Sequence, residues 1–457
     1  MPDGESIEAA LKQRGLERVL EPARFAGGDT LSHLMADLST IDFATLDRQL
    51  ATLQTEPELS RGEISPPKIM PSSTSEEEGV AEATASGLEA LRSGRVALAT
   101  VAGGQASRLG FDGPKGTYPL GPVSGASLFQ IFAGQVQRLR EITGAALPWI
   151  IQTGPENHHA TQEFFFCRNH FGLAKGSVFF VCQGTLPALN SDGQLLLSNP
   201  SSLFRNPDGH GGFYRALKSA GIFPILKSIG VDLVYYCQID NPLVRMGDPA
   251  FLGFHLDSQA QMSVKVVEKV DPDEKVGLIV NQGDTVTCLE YSDLPDGFAE
   301  QRAADKSLLF RAGNIATHAF DLNFLEEMAE AHLPLHVAKK SVLSWDANVC
   351  LTKPQAGIKF ETFVFDALPL AHQVMVQLCD RHEEFAPVKN RSGTDSVNSA
   401  RLAWDKRTRD WLAALNGPKP ADGLTEIAAG HVYDLADLLD QKPAVKLSCG
   451  NRYLVTR

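Results

Sequence analysis

The stretch of sequence that decides the fold reads VALATVAGGQASRLGFDGPK and covers residues 96–115. Its first seven residues, 96–102, form a short apolar run, which predicts a β-strand buried on both faces. The paired glycines that follow, Gly103 and Gly104, let backbone N–H groups approach phosphate oxygens without obstruction by a Cβ. Arg108 then offers a planar guanidinium, and Lys115 offers a compact positive charge. The segment therefore predicts a phosphate-binding loop at the end of a buried strand.

This loop has neither of the two common phosphate-binding patterns. It lacks the spacing of G-x-G-x-x-G, and the sequence contains no G-x-x-x-x-G-K-[ST], which disfavours a dehydrogenase and a P-loop ATPase. The alternative interpretation is that Gly103 and Gly104 only form a tight turn and that Arg108 is a solvated cation. The order of strand, glycines, arginine and Pro-Lys favours phosphate binding over this alternative.

After Glu82 the sequence repeats the order of strand, loop and helix. Further buried strands are expected at 149–151, 178–181 and 233–239. Ser127 is expected to cap a helix whose apolar residues share one face. Alternation of this kind predicts an α/β fold with a mainly parallel sheet, whose ligands bind at the carboxyl ends of the strands.

The length of 457 residues predicts more than one domain. Residues 1–85 are expected to form an N-terminal helical region that ends in a Pro-, Ser- and Glu-rich linker over 56–78. Residues 86–395 are expected to form the central α/β domain, and residues 396–457 a small C-terminal domain.

Charge and composition exclude several function classes. The formal net charge of −13 argues against a nucleic-acid or membrane-surface binder, although a few cations in one cleft can still bind a small anion. The sequence has no apolar run of about 18 residues and no apolar segment near its start that is typical of a signal peptide. The seven cysteines form no C-x-x-C pair and indicate reduced thiols in a cytoplasmic protein.

The segment from Gly103 to Gly110, followed by Pro114 and Lys115, resembles the signature of sugar-nucleotide pyrophosphorylases. It is most similar to the eukaryotic-type UDP-N-acetylglucosamine pyrophosphorylases, and the resemblance extends with gaps from about Val96 to Asn390. It implies a Rossmann-like nucleotidyltransferase domain with a mixed, mainly parallel sheet, an N-terminal helical region and a small C-terminal domain. The implied reaction joins UTP and N-acetylglucosamine 1-phosphate to give the UDP-sugar and pyrophosphate.

Further segments at 179–188, 207–212, 238–242, 266–269, 276–277, 289–292, 312–315, 357–359 and 385–390 also resemble the family. By this resemblance, the residues implied to bind the nucleotide are Ala102, Gly103, Gly104, Lys115, Gln183, Gly209, Asp240 and Lys359. Those implied to bind the sugar are His210, Gly277, Glu290, Tyr291, Asn314 and Lys389. The implied catalytic cations are Arg108, Lys115 and Lys389, and the implied cofactor is Mg²⁺, held by Asp240.

Elementary chemistry supports several of these roles. The amide of Gln183 offers both a donor and an acceptor to a uracil edge. Asp240 follows a strand, where its carboxylate suits Mg²⁺ beside a phosphate. The sugar phosphate is already ionised at neutral pH, so the reaction needs positioning and charge neutralisation rather than a general base.

Two rival functions remain open from the sequence. His210 replaces the family's usual Asn and leaves open a UDP-glucose or broad-specificity UDP-sugar pyrophosphorylase. A non-catalytic nucleotide-sugar binder is the second rival, although it would need no cations for a leaving group. The expected partners are UTP and a sugar 1-phosphate, with no nucleic acid and no membrane, and the chain is expected to be a monomer or a weak dimer.

Overall fold

The computed structural model describes residues 4–54, 63–415, 423–441 and 452–455, which fall into two compact units. The first unit comprises Met1–Arg61, Gln183–Gly212 and His332–Val364. The second comprises Gly62–Cys182, Phe213–Ala331 and Phe365–Arg457. These units do not coincide with the ranges 1–85, 86–395 and 396–457, and that division into domains stays a prediction.

The helices and strands of the described residues are named here in chain order. The helices are α1 (Gly4–Gln13), α2 (Glu21–Ala26), α3 (Thr30–Leu38), α4 (Phe43–Gln54), α5 (Val80–Arg92), α6 (Leu128–Thr143), α7 (His158–Phe166), α8 (Phe213–Ser219), α9 (Ile222–Ser228), α10 (Pro249–Asp257), α11 (Leu322–Glu330), α12 (Arg381–Glu384), α13 (Val397–Ala414) and α14 (Leu435–Gln441). The strands are β1 (Ile64–Ser65), β2 (Ile69–Met70), β3 (Val96–Val101), β4 (Trp149–Thr153), β5 (Val178–Cys182), β6 (Thr185–Pro187), β7 (Leu197–Asn199), β8 (Ser202–Leu203), β9 (Arg205–Pro207), β10 (Leu233–Gln238), β11 (Met262–Glu268), β12 (Leu278–Gln282), β13 (Thr285–Leu289), β14 (Ala312–Asp321), β15 (His336–Asp346), β16 (Leu351–Glu361), β17 (Val374–Leu378), β18 (Leu424–Ile427) and β19 (Arg452–Val455).

The second unit is built on one large sheet with the strand order β2-β17-β11-β14-β10-β3-β4-β5. Every neighbouring pair in this series is parallel except the two pairs that β14 forms with β10 and β11. Four of its strands lie where the apolar runs predict them, and the Ser127 hydroxyl accepts a hydrogen bond from the N–H of Gln130 as the predicted cap of α6. The predicted α/β fold with a mixed, mainly parallel sheet is confirmed.

The first unit combines the N-terminal helices with short two-stranded sheets. The helices bury one apolar face each, because their leucines recur at helical spacing, and strands of the same unit cover that face. The buried residues are Ile7, Leu11, Leu16, Val19, Leu20, Ala23, Leu34, Leu38, Ile41, Leu46, Leu189, Leu195, Leu197, Leu203, Ile358 and Phe360. The predicted N-terminal helical region is therefore confirmed.

The predicted linker over 56–78 is only partly a linker. Residues 56–62 lie outside the described residues, whereas β1 pairs antiparallel with β12 and β2 pairs parallel with β17. The sequence did not indicate these two short pairings, because a sheet edge supplies hydrogen-bond partners to a segment whose own composition disfavours strands.

The described part of the tail beyond residue 396 belongs by its contacts to the second unit. Arg401 donates to the carbonyls of Pro119 and Leu120, and the Glu426 carboxylate accepts the N–H groups of Val123 and Ser124. The hydroxyl of Tyr433 donates to the carbonyl of Met246 at 2.8 Å. These residues therefore brace the segment before α6 and the segment that follows β10.

A buried ion cluster connects three elements of the second unit. Lys265 on β11 is fully buried, and its Nζ lies 2.5 Å from a carboxylate oxygen of Asp248 and also pairs with Glu384. Burial alone would raise the pKa of Asp248, but the positive charges of Lys265 and Arg245 lower it. Burial opposes the charged form of Lys265, but Asp248 and Glu384 outweigh it and raise the pKa of Lys265. The cluster therefore ties the start of α10 and the end of α12 to β11 through paired charges.

Within the described ranges, no helix combines the length and apolar character needed to cross a membrane. The six cysteines found there form no disulfide with one another, and Cys449 lies outside these ranges.

We predict that Lys265→Ala lowers the free energy of unfolding by about 3–5 kcal/mol, because it leaves two buried carboxylates without their cation. Lys406→Ala is the matched control, since Lys406 forms an exposed ion pair with Asp410 at 3.6 Å on α13. Such exposed pairs contribute about 0–1 kcal/mol. Chemical denaturation of both variants measures the difference, and equal losses of stability would contradict the structural role assigned to the buried cluster.

Candidate active site

The glycine-rich loop and Asp240 lie at the same edge of the sheet. Strands β3 and β10 pair in parallel with Val101 opposite Gln238, and the N–H of Ile239 donates to the carbonyl of Val101 at 3.0 Å. Because the two strands end together, the chain leaves β3 into the loop at the point where it leaves β10 towards Asp240. The loop and Asp240 thus lie at the carboxyl ends of two parallel strands, and the binding of a ligand there stays a prediction.

The carbonyl groups of the glycine-rich loop accept hydrogen bonds from other parts of the protein. The buried amide of Asn157 donates to the carbonyl of Ala102 at 3.0 Å and to that of Gly104 at 3.2 Å. The carbonyl of Gly104 also accepts the N–H of Lys115 at 3.0 Å. The side chain of Asn157, the residue just before α7, therefore fixes two carbonyl groups of the loop.

The N–H groups of the two glycines differ from the carbonyl groups of the loop in their hydrogen bonding. Among the described residues, neither the N–H of Gly103 nor that of Gly104 donates a hydrogen bond to the protein. A Cβ on Gly104 would meet no atom within 4 Å, and neither glycine has a positive φ. The backbone turn therefore does not require glycine at position 104, and the backbone φ does not require it at position 103. Neighbouring N–H donors that no Cβ obstructs suit a phosphate group.

Two predicted residues, Lys115 and Asp240, form an ion pair at this edge. Lys115 Nζ lies 3.1 Å from a carboxylate oxygen of Asp240, and both side chains are largely buried. The carbonyl of Asp240 also accepts the N–H of Val388 at 2.8 Å, which places the segment carrying Lys389 beside the end of β10. Lys389 itself pairs with Asp395 at 3.5 Å. Arg108 is exposed on the turn that follows the glycines.

Asp240 fits a magnesium ion only if the substrate supplies further ligands. The described residues contain no cluster of three His, Cys, Asp or Glu side chains that could hold a metal ion. Mg²⁺ in nucleotide-dependent enzymes is commonly held by one or two carboxylates together with phosphate oxygens and water. A single carboxylate at the end of β10 is compatible with that arrangement.

Three of the predicted sugar-binding residues lie together in the second unit. The N–H of Asn314 donates to the carbonyl of Gly277 at 2.8 Å, and a Cβ on Gly277 would lie 3.1 Å from a carboxylate oxygen of Glu290. The antiparallel pairing of β14 with β10 puts Asn314 near the carboxyl end of β10. Tyr291 follows Glu290 but is 48% exposed.

The first unit holds four other predicted residues. Gln183 is buried, and the adjacent Gly184 carbonyl accepts the N–H of Asp208 at 3.1 Å, so the segments around Gln183 and Gly209 lie side by side. Gly209 has a φ of +87°, and a Cβ there would lie 2.4 Å from the carbonyl oxygen of Thr362. The fold alone therefore requires glycine at 209. Lys359 lies over the ring of Phe204, with its Nζ 5.5 Å from the ring centre.

His210 is held in one orientation. Its Nδ1 accepts the N–H of Val364 at 3.0 Å, and its ring stacks on Phe363 with 5.1 Å between centroids. Because Nδ1 acts as an acceptor, the neutral ring carries its proton on Nε2 and offers a donor there.

Three residues that lie near these positions were not predicted from the sequence. Asn157 follows the predicted strand at 149–151, and a polar residue after a buried strand was the available signal. Cys288 contacts the amide of Asn314 at 3.5 Å, and burial together with Glu290 raises the pKa of its thiol well above the ordinary value. Arg391 lies against Gly110, and nothing in the sequence indicated that contact.

Comparison with known proteins gives a consistent result. The family model described as UTP–glucose-1-phosphate uridylyltransferase matches residues 42–410. UDP-N-acetylglucosamine diphosphorylase 2 of Arabidopsis thaliana is 37% identical over 350 residues, which are 72% of this chain and 68% of that protein. UDP-N-acetylglucosamine pyrophosphorylase of Saccharomyces cerevisiae is 38% identical over 341 residues, 71% of each chain.

A solved structure supports the same fold. The uridine diphosphate N-acetylglucosamine pyrophosphorylase of Trypanosoma brucei, solved in complex with an inhibitor, matches with a TM-score of 0.83. It covers 100% of this chain and 99% of its own at 23% identity, so this likeness concerns the fold alone. The extent of the family match and the identity to two relatives establish that this chain belongs to the UTP–glucose-1-phosphate uridylyltransferase family.

Proposed function

We propose that this chain is a uridylyltransferase that converts UTP and N-acetylglucosamine 1-phosphate to UDP-N-acetylglucosamine and pyrophosphate. The observation that carries the proposal is the pair of unused N–H groups at Gly103 and Gly104, which open at the strand edge where Lys115 and Asp240 meet. The family and the names of the two relatives support the choice of nucleotide and sugar.

The reaction requires two anions to approach each other. An oxygen of the sugar phosphate attacks the α-phosphorus of UTP, the new P–O bond forms, and the bond to the β-phosphate breaks to release pyrophosphate. The N–H groups of Gly103 and Gly104 would bind phosphate oxygens of UTP, and Arg108 and Lys115 would neutralise the leaving pyrophosphate. Lys389 would neutralise the sugar phosphate. Such preorganised donors stabilise charge in the transition state without reorganisation.

The ion pair between Lys115 and Asp240 keeps both side chains at the strand edge. Each would exchange this partner for the substrate, Lys115 for phosphate oxygens and Asp240 for Mg²⁺. The proposed Mg²⁺, held by Asp240 and by phosphate oxygens, would supply positive charge beside the α-phosphate. The uracil-reading role of Gln183 and the nucleotide-binding roles of Gly209 and Lys359 stay predictions from the family resemblance.

The identity of the sugar is supported by fewer contacts than any other part of the proposal. Glu290 and Asn314 present a carboxylate and an amide that can bind sugar hydroxyl groups, and Gly277 keeps the space beside them free of a side chain. Because His210 offers one donor where an amide would offer a donor and an acceptor, a UDP-glucose or broad-specificity activity is the second candidate. A non-catalytic nucleotide-sugar binder is disfavoured. Binding of the product alone would not require all three of the cations Arg108, Lys115 and Lys389.

Three further features belong to the proposal. A monomer or weak dimer is proposed, with no nucleic acid or membrane as partner. A cytoplasmic location is proposed because the number and spacing of the cysteines in the sequence indicate reduced thiols.

We predict that Arg108→Ala and Lys115→Ala each lower turnover by about 30- to 1,000-fold, because each removes about 2–4 kcal/mol of transition-state stabilisation. Pyrophosphate release measures turnover, and thermal unfolding checks that the variants remain folded. Lys406→Ala removes one exposed charge from α13 and is expected to retain parental turnover. Near-parental activity of either loop variant would show that the loop has been assigned incorrectly.

The sugar is tested with purified protein, UTP, Mg²⁺ and one sugar 1-phosphate at a time. We expect the highest kcat/KM with N-acetylglucosamine 1-phosphate, followed by N-acetylgalactosamine 1-phosphate and glucose 1-phosphate. A preference for glucose 1-phosphate would select the second candidate, and UTP binding without pyrophosphate release would select the non-catalytic binder. His210→Asn, tested on the same sugars, measures how much of the preference depends on this residue.

A further inference from the structure

Arg391 lies against the end of the glycine-rich loop although it is distant from it in sequence. A Cβ built on Gly110 would lie 3.6 Å from Nη1 of Arg391 and 3.9 Å from its guanidinium carbon. Gly110 has a φ of +70° and follows directly after the turn that carries Arg108. Since consecutive Cα atoms are about 3.8 Å apart, the backbone of Arg108 lies within about 7.6 Å of that of Gly110. The two arginines therefore approach the loop from different parts of the chain.

The backbone on both sides of Arg391 is anchored. Val388 is fully buried and donates its N–H to the carbonyl of Asp240 at 2.8 Å. The carbonyl of Asp395 accepts the N–H groups of Lys389 at 2.7 Å and Asn390 at 2.9 Å. These bonds close a short loop that contains Arg391 and that begins one residue after Val388, the residue bonded to Asp240.

Arg391 differs from the neighbouring lysines in its ion pairing. Lys115 pairs with Asp240 and Lys389 pairs with Asp395, whereas in the described part of the chain Arg391 has no ion pair and no hydrogen bond. The same is true of Arg108. Within the described ranges, both guanidinium groups are thus left without a carboxylate partner in a chain whose formal net charge is −13. Guanidinium groups bind phosphate through paired N–H donors, so a phosphate group is a ligand that both arginines can accept.

We infer that Arg391 is a further phosphate-binding residue, which acts with Arg108 on the β- and γ-phosphates of UTP and on the pyrophosphate derived from them. The inference rests on the proposed function, because it takes the glycine-rich loop as the binding place of the triphosphate. It assigns Arg391 to the terminal phosphates because its guanidinium lies over Gly110, at the end of the turn that carries Arg108, and the proposed function places Arg108 on the leaving pyrophosphate.

The inference is tested by comparing UTP with UMP, which lacks the β- and γ-phosphates. Isothermal titration with Mg²⁺ and ionic strength held constant gives Kd for both nucleotides with the parent protein, Arg391→Ala, Arg391→Lys and Lys406→Ala. A charge-assisted hydrogen bond of about 1.5–3 kcal/mol corresponds to at least about a tenfold change in affinity. We expect Arg391→Ala to weaken UTP binding by about tenfold and to leave UMP binding unchanged. Arg391→Lys should recover part of the loss, and Lys406→Ala should match the parent.

Equal weakening of UTP and UMP would show that Arg391 only supports the local structure, and unchanged UTP affinity would show that it does not bind phosphate. Either result would overturn the inference. Pyrophosphate release by the parent protein, measured in parallel, tests the proposed function independently. If the parent releases no pyrophosphate with any sugar phosphate, the proposed function fails, while a selective loss of UTP affinity would still support the phosphate-binding role of Arg391. If the parent binds no UTP, both are contradicted.

Discussion

The parallel pairing of β3 with β10 is the constraint on which the rest of the candidate site depends. Two strands that run in the same direction and end in register deliver their following residues to one edge of the sheet, so a glycine-rich loop and a carboxylate from distant parts of the chain meet there. The bond from the N–H of Val388 to the carbonyl of Asp240 adds a third segment, which carries Lys389 and Arg391. The site is therefore built mainly by backbone geometry, and the side chains add the charges.

Polar groups in the interior and polar groups at the strand edge differ in whether the protein itself supplies their partners. In the interior, Lys265 is surrounded by Asp248 and Glu384, so burial is compensated by direct pairing. The cluster also supports the site, because the backbone carbonyl of Glu384 accepts a hydrogen bond from the amide of Asn241 at 2.7 Å, next to Asp240. At the edge, by contrast, the N–H groups of the glycines remain without acceptors in the described protein. The buried charges of the Lys265 cluster are thus paired within the protein, whereas the proposed function assigns the N–H groups of the two glycines to a phosphate ligand.

The sequence predicted the parts of this arrangement that depend on local pattern. Apolar runs identified β3 and β10, the paired glycines follow β3, and Asp240 follows β10. The family resemblance, rather than any local pattern, pointed to Glu290, Asn314 and Lys389. Contacts that only the fold creates were missed: the strands β1 and β2 in a Pro- and Ser-rich segment, the amide of Asn157 beneath the loop, and Arg391 over Gly110. A buried lysine such as Lys265 also contradicts hydrophobic patterning, because its partners come from elements far apart in sequence.

The central claim is that a bound sugar phosphate displaces pyrophosphate from UTP directly, with positioned charges and no covalent intermediate. Exchange of labelled pyrophosphate into UTP tests this claim most directly, because a covalent uridylyl-enzyme would allow the exchange without any sugar phosphate. We predict exchange only when the UDP-sugar or its sugar 1-phosphate is present. Exchange with UTP and pyrophosphate alone would contradict direct displacement, and the absence of exchange under every condition would contradict uridylyl transfer itself.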